Sequence, residues 1–95
     1  MNCKAFSFSS HAIKRMFERS LSRDDVVCAI EQGEVIKDYP DDQPYPSCLI
    51  LWFLNAATPI HVVVARNGVD LSCYIVTAYV PSEAIWQAGF KEKKA

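Results

Sequence analysis

Two long apolar stretches, residues 47–54 (SCLILWFL) and 59–66 (PIHVVVAR), most constrain how this chain folds. A half-exposed strand alternates apolar and polar residues, whereas these stretches are apolar at odd and even positions alike. Both therefore predict central strands of a sheet that is covered on both faces. The connection between them is of hairpin length, so the two strands are expected to be antiparallel neighbours.

Two amphipathic helices precede these strands. Residues 8–20 (FSSHAIKRMFERS) carry an apolar stripe at helical spacing, and Ser10 is the expected N-cap. Residues 21–34 (LSRDDVVCAIEQGE) begin a second helix at the cap Ser22 and end it at Gly33. Because the turn between them is very short, the two form a helical hairpin.

Two further strands and a closing helix complete the order. Residues 34–39 (EVIKDY) alternate, residues 71–80 (LSCYIVTAYV) predict a long fourth strand, and residues 82–90 (SEAIWQAGF) predict a helix. The predicted fold is α+β, in the order α-α-β-β-β-β-α, with the helical hairpin on one face of a four-stranded, mainly antiparallel sheet. The residues expected in or near the core are Ile13, Met16, Val27, Ile30, Leu51, Val62 and Ile75.

The chain of 95 residues fits a single domain over residues 1–95, with residues 91–95 as a flexible basic tail. The stretch DYPDDQPYPS, residues 38–47, lies between two predicted strands. Each of its three prolines fixes its own φ and pushes the preceding residue toward extended geometry. It is therefore predicted to be a stiff, wide connection within one sheet.

The formal net charge is −1, so no overall basic field points to nucleic acid. The charge is uneven, because residues 1–23 hold five basic residues and one acidic, while residues 24–42 hold seven acidic and one basic. No segment has a signal-peptide pattern or the roughly 20 apolar residues of a membrane span. The expectation is a cytoplasmic protein without membrane association.

The four cysteines lie about 20 to 25 residues apart without a C-x-x-C pair, so no metal site is predicted. Cys28, Cys48 and Cys73 sit in apolar segments and are expected to be buried, reduced thiols. There is no glycine-rich phosphate loop, no nucleophile elbow and no H-E-x-x-H motif. No cofactor is therefore expected.

The two histidines are the first candidates for chemistry. His61 lies in an apolar strand, where it is either a hydrogen-bonded core histidine or an imidazole that reaches a ligand and titrates near neutral pH. His11 and Arg15 stand one helical turn apart and are either surface residues or a joint site for a phosphate or carboxylate.

Three tyrosines and a lysine complete the candidate site. Tyr79, near the end of the fourth strand, is either an amphipathic core residue or a functional one, acting as a secondary acid or a stacking surface. Tyr39 and Tyr45 flank the proline-rich connection, where they could stack on the bases of single-stranded RNA. Lys91, at the start of the basic tail, is the third residue predicted to bind substrate.

Three motifs together resemble the bacterial family known as domain of unknown function 4258. They are H-A-x-x-R-M-x-E-R at residues 11–19, G-E-x-I-x-x-Y-P-D-D-x-P-Y-P-S at residues 33–47 and H-V-V-V-A at residues 61–65, within a resemblance that runs from Phe8 to about Phe90. That family is grouped by fold similarity with the RelE-like and barnase-like small ribonucleases. Its members resemble the toxin of a toxin–antitoxin pair, encoded beside a zinc-ribbon, helix-turn-helix antitoxin.

The resemblance implies a RelE-like fold, with RNA and a small antitoxin as partners. A monomer or weak homodimer is expected. The leading hypothesis is a metal-independent endoribonuclease, in which His61 or His11 acts as base or acid and Arg15 clamps the phosphate, around one pocket. The alternative is a non-catalytic module of the same fold that binds a protein. The near-neutral charge and the acidic residues 24–42 favour this alternative.

Overall fold

The computed structural model describes residues 1–95 and contains two helices and five strands. The elements are β1 (Ala5–Phe8), α1 (Ser10–Glu18), α2 (Arg23–Gln32), β2 (Glu34–Tyr39), β3 (Ser47–Asn55), β4 (Thr58–Arg66) and β5 (Ser72–Tyr79). The helices lie on one face of the sheet, with α1 against β5 and α2 against β3 and β4. No helix is long and apolar enough to cross a membrane.

The helix ends follow from local capping. The Ser9 side chain accepts a hydrogen bond from the Ala12 amide at 3.0 Å, so α1 is capped one residue before the expected Ser10. Ser22 and Asp25 form a reciprocal capping box at the start of α2, which confirms the expected cap. At the end of α2, a Cβ on Gly33 would lie 2.6 Å from Cγ2 of Ile50, so only glycine allows this close approach to β3.

The sheet has five strands in the order β1-β5-β4-β3-β2, so the prediction of four mainly antiparallel strands is wrong. The missed strand is β1, which pairs in parallel with β5 at one edge, from Ala5 opposite Ser72 to Phe8 opposite Ile75. The other neighbours are antiparallel, as expected. With only four residues, β1 is too short for its alternation to stand out, and its partner lies far along the chain.

The predicted C-terminal helix is absent, and residues 81–95 instead form a turning segment that we call the strap. Gly89 and Phe90 both have positive φ, 89° and 60°, and these reverse the chain. The amide of Gln87 then donates to the carbonyl of Glu92 and the amide of Lys94 to that of Ile85, both at 2.8 Å. Contacts with the sheet therefore outweigh a weak local helix signal that contains glycine.

The core lies mainly between the helices and the sheet. Of the residues predicted there, Met16, Ile30, Leu51, Val62 and Ile75 are buried and Val27 is half-buried. Ile13 is 56% exposed, so its assignment to the core is wrong. The reason is that α1 turns Ala12 and Met16 toward the sheet, which leaves the neighbouring stripe of Ile13 and Phe17 outside.

The proline-rich stretch joins β2 to β3, two adjacent antiparallel strands, as expected for a connection within one sheet. The peptide bond between Gln43 and Pro44 is cis. Across the base of the connection, the hydroxyl of Ser47 donates to Oδ2 of Asp42 at 2.5 Å.

A disulfide joins Cys3 to Cys73, so the expectation of free thiols throughout is wrong. It ties the segment before β1 to β5 across 70 residues of sequence. Cys28 and Cys48 are free, and burial, with the charge of Asp38 adding to it, raises the pKa of Cys48 to about 11. Because disulfides persist mainly in oxidising compartments, the thiols no longer support the cytoplasmic expectation.

Replacing Cys3 with serine should lower the free energy of unfolding by about 2–4 kcal/mol, because the bridge restricts the unfolded chain over a long loop. Urea unfolding followed by circular dichroism measures this. Reductant should lower the urea midpoint of the wild type and leave that of Cys3→Ser unchanged. Cys28→Ser is the control: it removes a free thiol and keeps the disulfide, so its midpoint should respond to reductant as that of the wild type does. Four reactive thiols in the native, unreduced protein would contradict the bridge.

Candidate functional site

His61 is fully buried and hydrogen-bonded through both ring nitrogens. Its Nε2 lies 2.8 Å from the carbonyl oxygen of Phe90, and its Nδ1 lies 3.2 Å from the hydroxyl of Tyr79. A carbonyl oxygen only accepts, so Nε2 carries the proton and donates to Phe90. Nδ1 of the neutral ring is then the acceptor for the Tyr79 O–H. This arrangement is a chain of two hydrogen bonds that runs from the strap through the histidine to the tyrosine.

The surroundings keep His61 neutral. Burial lowers its pKa from the usual 6.5, and the hydrogen bond to the Phe90 carbonyl opposes this in part. The ring also meets Trp86 and Tyr79 edge-on, with centroids 4.4 Å and 5.3 Å away. The imidazole is thus buried beneath the strap. Its only hydrogen bond to another side chain is the one to the hydroxyl of Tyr79.

Tyr79 lines two adjoining cavities, of about 420 Å³ and about 320 Å³. Burial raises the pKa of its hydroxyl and nearby Tyr39 adds to the rise, while the charge of Arg15 opposes both. The hydroxyl is therefore protonated at neutral pH, with its O–H turned toward His61, and Arg15 lines the smaller of the two cavities together with Tyr79.

We call these two cavities together the basic groove. Its floor on the face of the sheet away from the helices includes Leu49 and Val63, which are cross-strand partners. The basic side chains that line it are Arg15, Arg19, Lys37, Lys91 and Lys93. Lys91 forms a salt bridge with Glu34 at 3.0 Å, and the other four form none.

Aromatic rings are interleaved with these cations. The ammonium of Lys37 lies 5.9 Å from the ring centroid of Tyr39, and that of Lys93 lies 5.8 Å from the ring of Trp86. A surface with free cations beside aromatic faces suits a ligand that carries both phosphates and planar bases.

The candidate residues from the sequence are only partly brought together. Arg15, Tyr39, Tyr79 and Lys91 line the basic groove. His11 is exposed on α1 and lines neither cavity, and His61 is buried on the sheet face opposite the helices. The single pocket around His11, Arg15 and His61 does not form.

The structure also shows where Tyr45 lies and which residues the sequence reasoning missed. Tyr45 stacks on Tyr74, outside the basic groove. Arg19 and Lys93 were missed, although Arg19 stands one helical turn after Arg15 and that spacing could have indicated it. Lys93 reaches the groove only because the strap doubles back, which no local pattern predicts. No group of three or more His, Cys, Asp or Glu side chains is arranged to hold a metal ion.

Comparison with known proteins places residues 8–80 in a family described as a domain of unknown function (DUF4258). The match covers more than half of the chain, and the chain belongs to this family. The matched residues include β4, β5 and Arg15, and end just after Tyr79, so the strap lies outside the match. The chain matches no curated protein and no solved structure.

The buried histidine makes stability depend on pH. Because the pKa of His61 is depressed in the folded state, its contribution is complete above about pH 6.5 and is lost as pH falls from there toward the folded pKa. We expect the free energy of unfolding to drop by up to about 1.4 kcal/mol per pH unit in this window. Urea titrations at several pH values between 5 and 7.5 measure the slope.

His61→Gln should flatten that slope, and His11→Gln, which changes an exposed side chain, should keep it. If His61→Gln does not fold, an NMR titration of the wild-type ring gives the same answer directly. A His61 midpoint at or above 6.5 would contradict the buried, neutral imidazole.

Proposed function

We propose that this protein is a metal-independent endoribonuclease that cleaves single-stranded RNA in the basic groove. One observation carries the proposal: Arg15, Arg19 and Lys93, none of them in a salt bridge, share a cavity with Tyr79, whose hydroxyl is hydrogen-bonded to a buried imidazole. Free cations around a hydroxyl with a fixed proton acceptor form a combination that suits phosphodiester cleavage.

The cations bind and activate the phosphate. Two guanidinium groups one helical turn apart present planar sets of donors that match phosphate oxygens, and they stay charged at every relevant pH. They would stabilise the extra negative charge that develops on the phosphorane. On the adjoining wall, Tyr39 offers a half-exposed ring on which a base can stack.

Tyr79 moves the proton, and His61 stores it. As the 2′-oxygen attacks phosphorus, its proton passes to the Tyr79 oxygen while the Tyr79 proton passes to Nδ1 of His61. The resulting imidazolium keeps its Nε2–H bond to the carbonyl of Phe90, which favours the charged ring. The P–O5′ bond breaks as the new P–O2′ bond forms, and Lys93 protonates the departing 5′-oxygen. The products are a 2′,3′-cyclic phosphate and a 5′-hydroxyl.

These roles differ from those expected of the histidines. His61 touches no substrate and acts through Tyr79, so it is a positioning residue with a proton-storage role. His11 has no part in the reaction. Arg15 keeps the phosphate-clamp role, and Tyr79 becomes the group that contacts the reacting atoms.

The toxin role is proposed from the resemblance of the family to small ribonuclease toxins. Uncontrolled cleavage of RNA by such a groove would arrest growth, and a partner that covers the groove or an adjacent surface would prevent it. A small antitoxin with a zinc ribbon and a helix-turn-helix is the partner that we propose.

Arg15→Gln should reduce the rate of RNA cleavage by about 10²-fold or more, because one charge-stabilising donor is lost from the transition state. Tyr79→Phe should reduce it similarly, since no oxygen remains to take the proton. The measurement is cleavage of a labelled single-stranded RNA in EDTA, with the product ends identified by mass spectrometry.

Lys14→Gln is the matched control for Arg15→Gln, because it removes one positive charge from the same helix at a residue that lines neither cavity of the groove. It should cleave at the wild-type rate. Absence of cleavage by the wild type, or full activity in Tyr79→Phe, would rule the proposal out.

A second candidate function, a non-catalytic protein-binding module, is favoured by an apolar surface elsewhere. Phe17 is 87% exposed and Ile13 is 56% exposed, which is unusual for side chains of this size. They border a groove of about 330 Å³, which we call the α1 patch. It is lined by Phe8, Ile13, Met16, Phe17, Leu21 and Arg23.

The partner that fits the α1 patch best is an amphipathic helix with an apolar stripe and acidic flanks. The patch is almost wholly apolar, while Arg23 lies over the Phe8 ring at its margin. The surrounding residues 1–23 carry five basic residues against one acidic. A helix of this kind would bury the stripe and pair its acids with these cations.

Phe17→Ser should weaken capture of the proposed antitoxin, the product of the adjacent open reading frame, by about tenfold or more, since it removes a large apolar contact. Val69→Ser is the matched control, because Val69 is 94% exposed and lies outside the patch. Co-purification and calorimetry of the pair measure the effect. Equal capture by both variants would contradict the assignment, and a second copy of the chain on the patch would appear as a dimer in light scattering.

A further inference from the structure

A second recess opens on the sheet face that carries the basic groove. Its volume is about 520 Å³, and we call it the tyrosine slot. It is lined by Asp42, Gln43, Pro44, Tyr45, Ser47, Ala65, Tyr74 and Val76. The rings of Tyr45 and Tyr74 stack with centroids 5.4 Å apart and planes inclined by 11°. Tyr74 is 36% exposed, so this aromatic surface remains accessible.

Strand register places the slot and the groove on one face. Cross-strand partners share a face of a sheet, and Ala65 on β4 is opposite both Ser47 and Tyr74. On the same strand, His61 is opposite Tyr79. The two positions are four residue steps apart along β4, a distance of about 13 Å. A short extended stretch of single-stranded RNA could therefore occupy both sites at once.

The polar groups of the slot set which base fits. The hydroxyl of Ser47 donates to Oδ2 of Asp42 at 2.5 Å, and both residues line the slot, so the bond restrains the carboxylate there. An ionised carboxylate only accepts hydrogen bonds, so the ligand must present donors. Among the RNA bases, guanine presents two adjacent donors on its Watson–Crick edge, N1–H and the N2 amine, and these match the two oxygens of a carboxylate.

We propose that the tyrosine slot binds an unpaired guanine base of the RNA, a proposal that rests on the proposed ribonuclease function. The base stacks on the accessible tyrosine surface while Asp42 accepts hydrogen bonds from its edge. The slot then selects which phosphodiester lies beside Tyr79, at a fixed offset along the strand. The acidic character of this end of the face is consistent with binding a base, because a carboxylate would repel a phosphate.

The alternative explanation for the stacked rings is purely structural. In that case Tyr45 and Tyr74 only fasten the proline-rich connection to β5, and the recess takes no ligand. The two explanations differ in one measurable respect, which is whether the identity of a single base alters binding.

The test uses uncleavable RNA, so that it does not depend on catalysis. Pentanucleotides with 2′-O-methyl groups throughout, UUGUU and UUAUU, are titrated into the protein by calorimetry or fluorescence anisotropy. Wild type should bind UUGUU at least about tenfold more tightly, the discrimination expected of one good bidentate contact. Asp42→Asn should abolish the preference, since the amide presents a donor where guanine also has one.

Variants of Tyr74 separate stacking from folding. Tyr74→Ala should weaken binding of UUGUU by about tenfold or more through loss of the stacking surface, while Tyr74→Phe should bind as wild type does. Thermal unfolding of each variant shows whether the connection remains intact. Asp42→Asn alters an exposed side chain, and its result stands even if Tyr74→Ala does not fold.

The outcomes separate this proposal from the function on which it rests. Equal affinity for the two oligonucleotides, with binding still lost in Arg15→Gln, would overturn the guanine slot and leave the ribonuclease groove standing. No binding of either oligonucleotide would overturn both. Guanine preference that disappears in Asp42→Asn supports the slot, and cleavage of natural RNA at a fixed distance from guanine supports the two sites acting together.

Discussion

The imidazole of His61 joins the C-terminal strap to the side chain of Tyr79 in the basic groove. One ring nitrogen donates to the backbone of the strap at Phe90, and the other accepts from the side chain of Tyr79. A buried polar group without a partner costs about 1–3 kcal/mol. The carbonyl of Phe90 and the hydroxyl of Tyr79 therefore both depend on the ring of His61 as their hydrogen-bond partner. A side chain of similar size without nitrogens would leave the carbonyl of Phe90 and the hydroxyl of Tyr79 unpaired. The residue that fixes the strap therefore also fixes the orientation of the Tyr79 proton.

The strap covers part of the sheet face that the helices leave open. β3 and β4 are apolar on both faces, and the helices cover only one of them. The other face needs a second cover, which Trp86 and Phe90 supply around His61. The cover is incomplete, because toward Ala65 the face opens into the tyrosine slot. This partial cover leaves both the basic groove and the tyrosine slot open, since a complete layer of helices would have closed the face.

Local features of the fold could be predicted from the sequence, whereas its long-range features could not. The caps at Ser22 and Gly33 are set by neighbours within a few residues, and the sequence predicted both of them. The long central strands were equally clear, because each is nine residues long and apolar at odd and even positions alike over most of its length. By contrast, β1 exists only through its pairing with β5, and the disulfide joins residues 70 apart in sequence. Neither the pairing of β1 nor the disulfide is indicated by a pattern within a short stretch of sequence.

Some features of the candidate site could likewise be predicted from the sequence, and others could not. Arg15 and Tyr39 could be proposed from residue type and position, and both lie in the basic groove. His61 allowed two interpretations, and the structure supports the hydrogen-bonded core histidine, although its link to Tyr79 keeps it connected to the site. What the sequence could not supply is which face of the sheet each side chain occupies, because the bulge at Val76 resets the register of β5.

Net charge was a poor guide because charge acts locally. Exposed charges are screened beyond about 8 Å at physiological salt, so the net charge of the whole chain does not set the potential around one cavity. The chain can carry a net charge of −1 and still gather four cations without salt bridges around Tyr79 and Tyr39. Such a protein lacks the long-range attraction that lets a strongly basic one bind any polyanion. Under the proposed function, its affinity for RNA comes from a few phosphate contacts together with stacked bases. The proposed guanine slot and the proposed phosphate groove together supply the contacts that a nearly neutral chain needs if it is to select RNA.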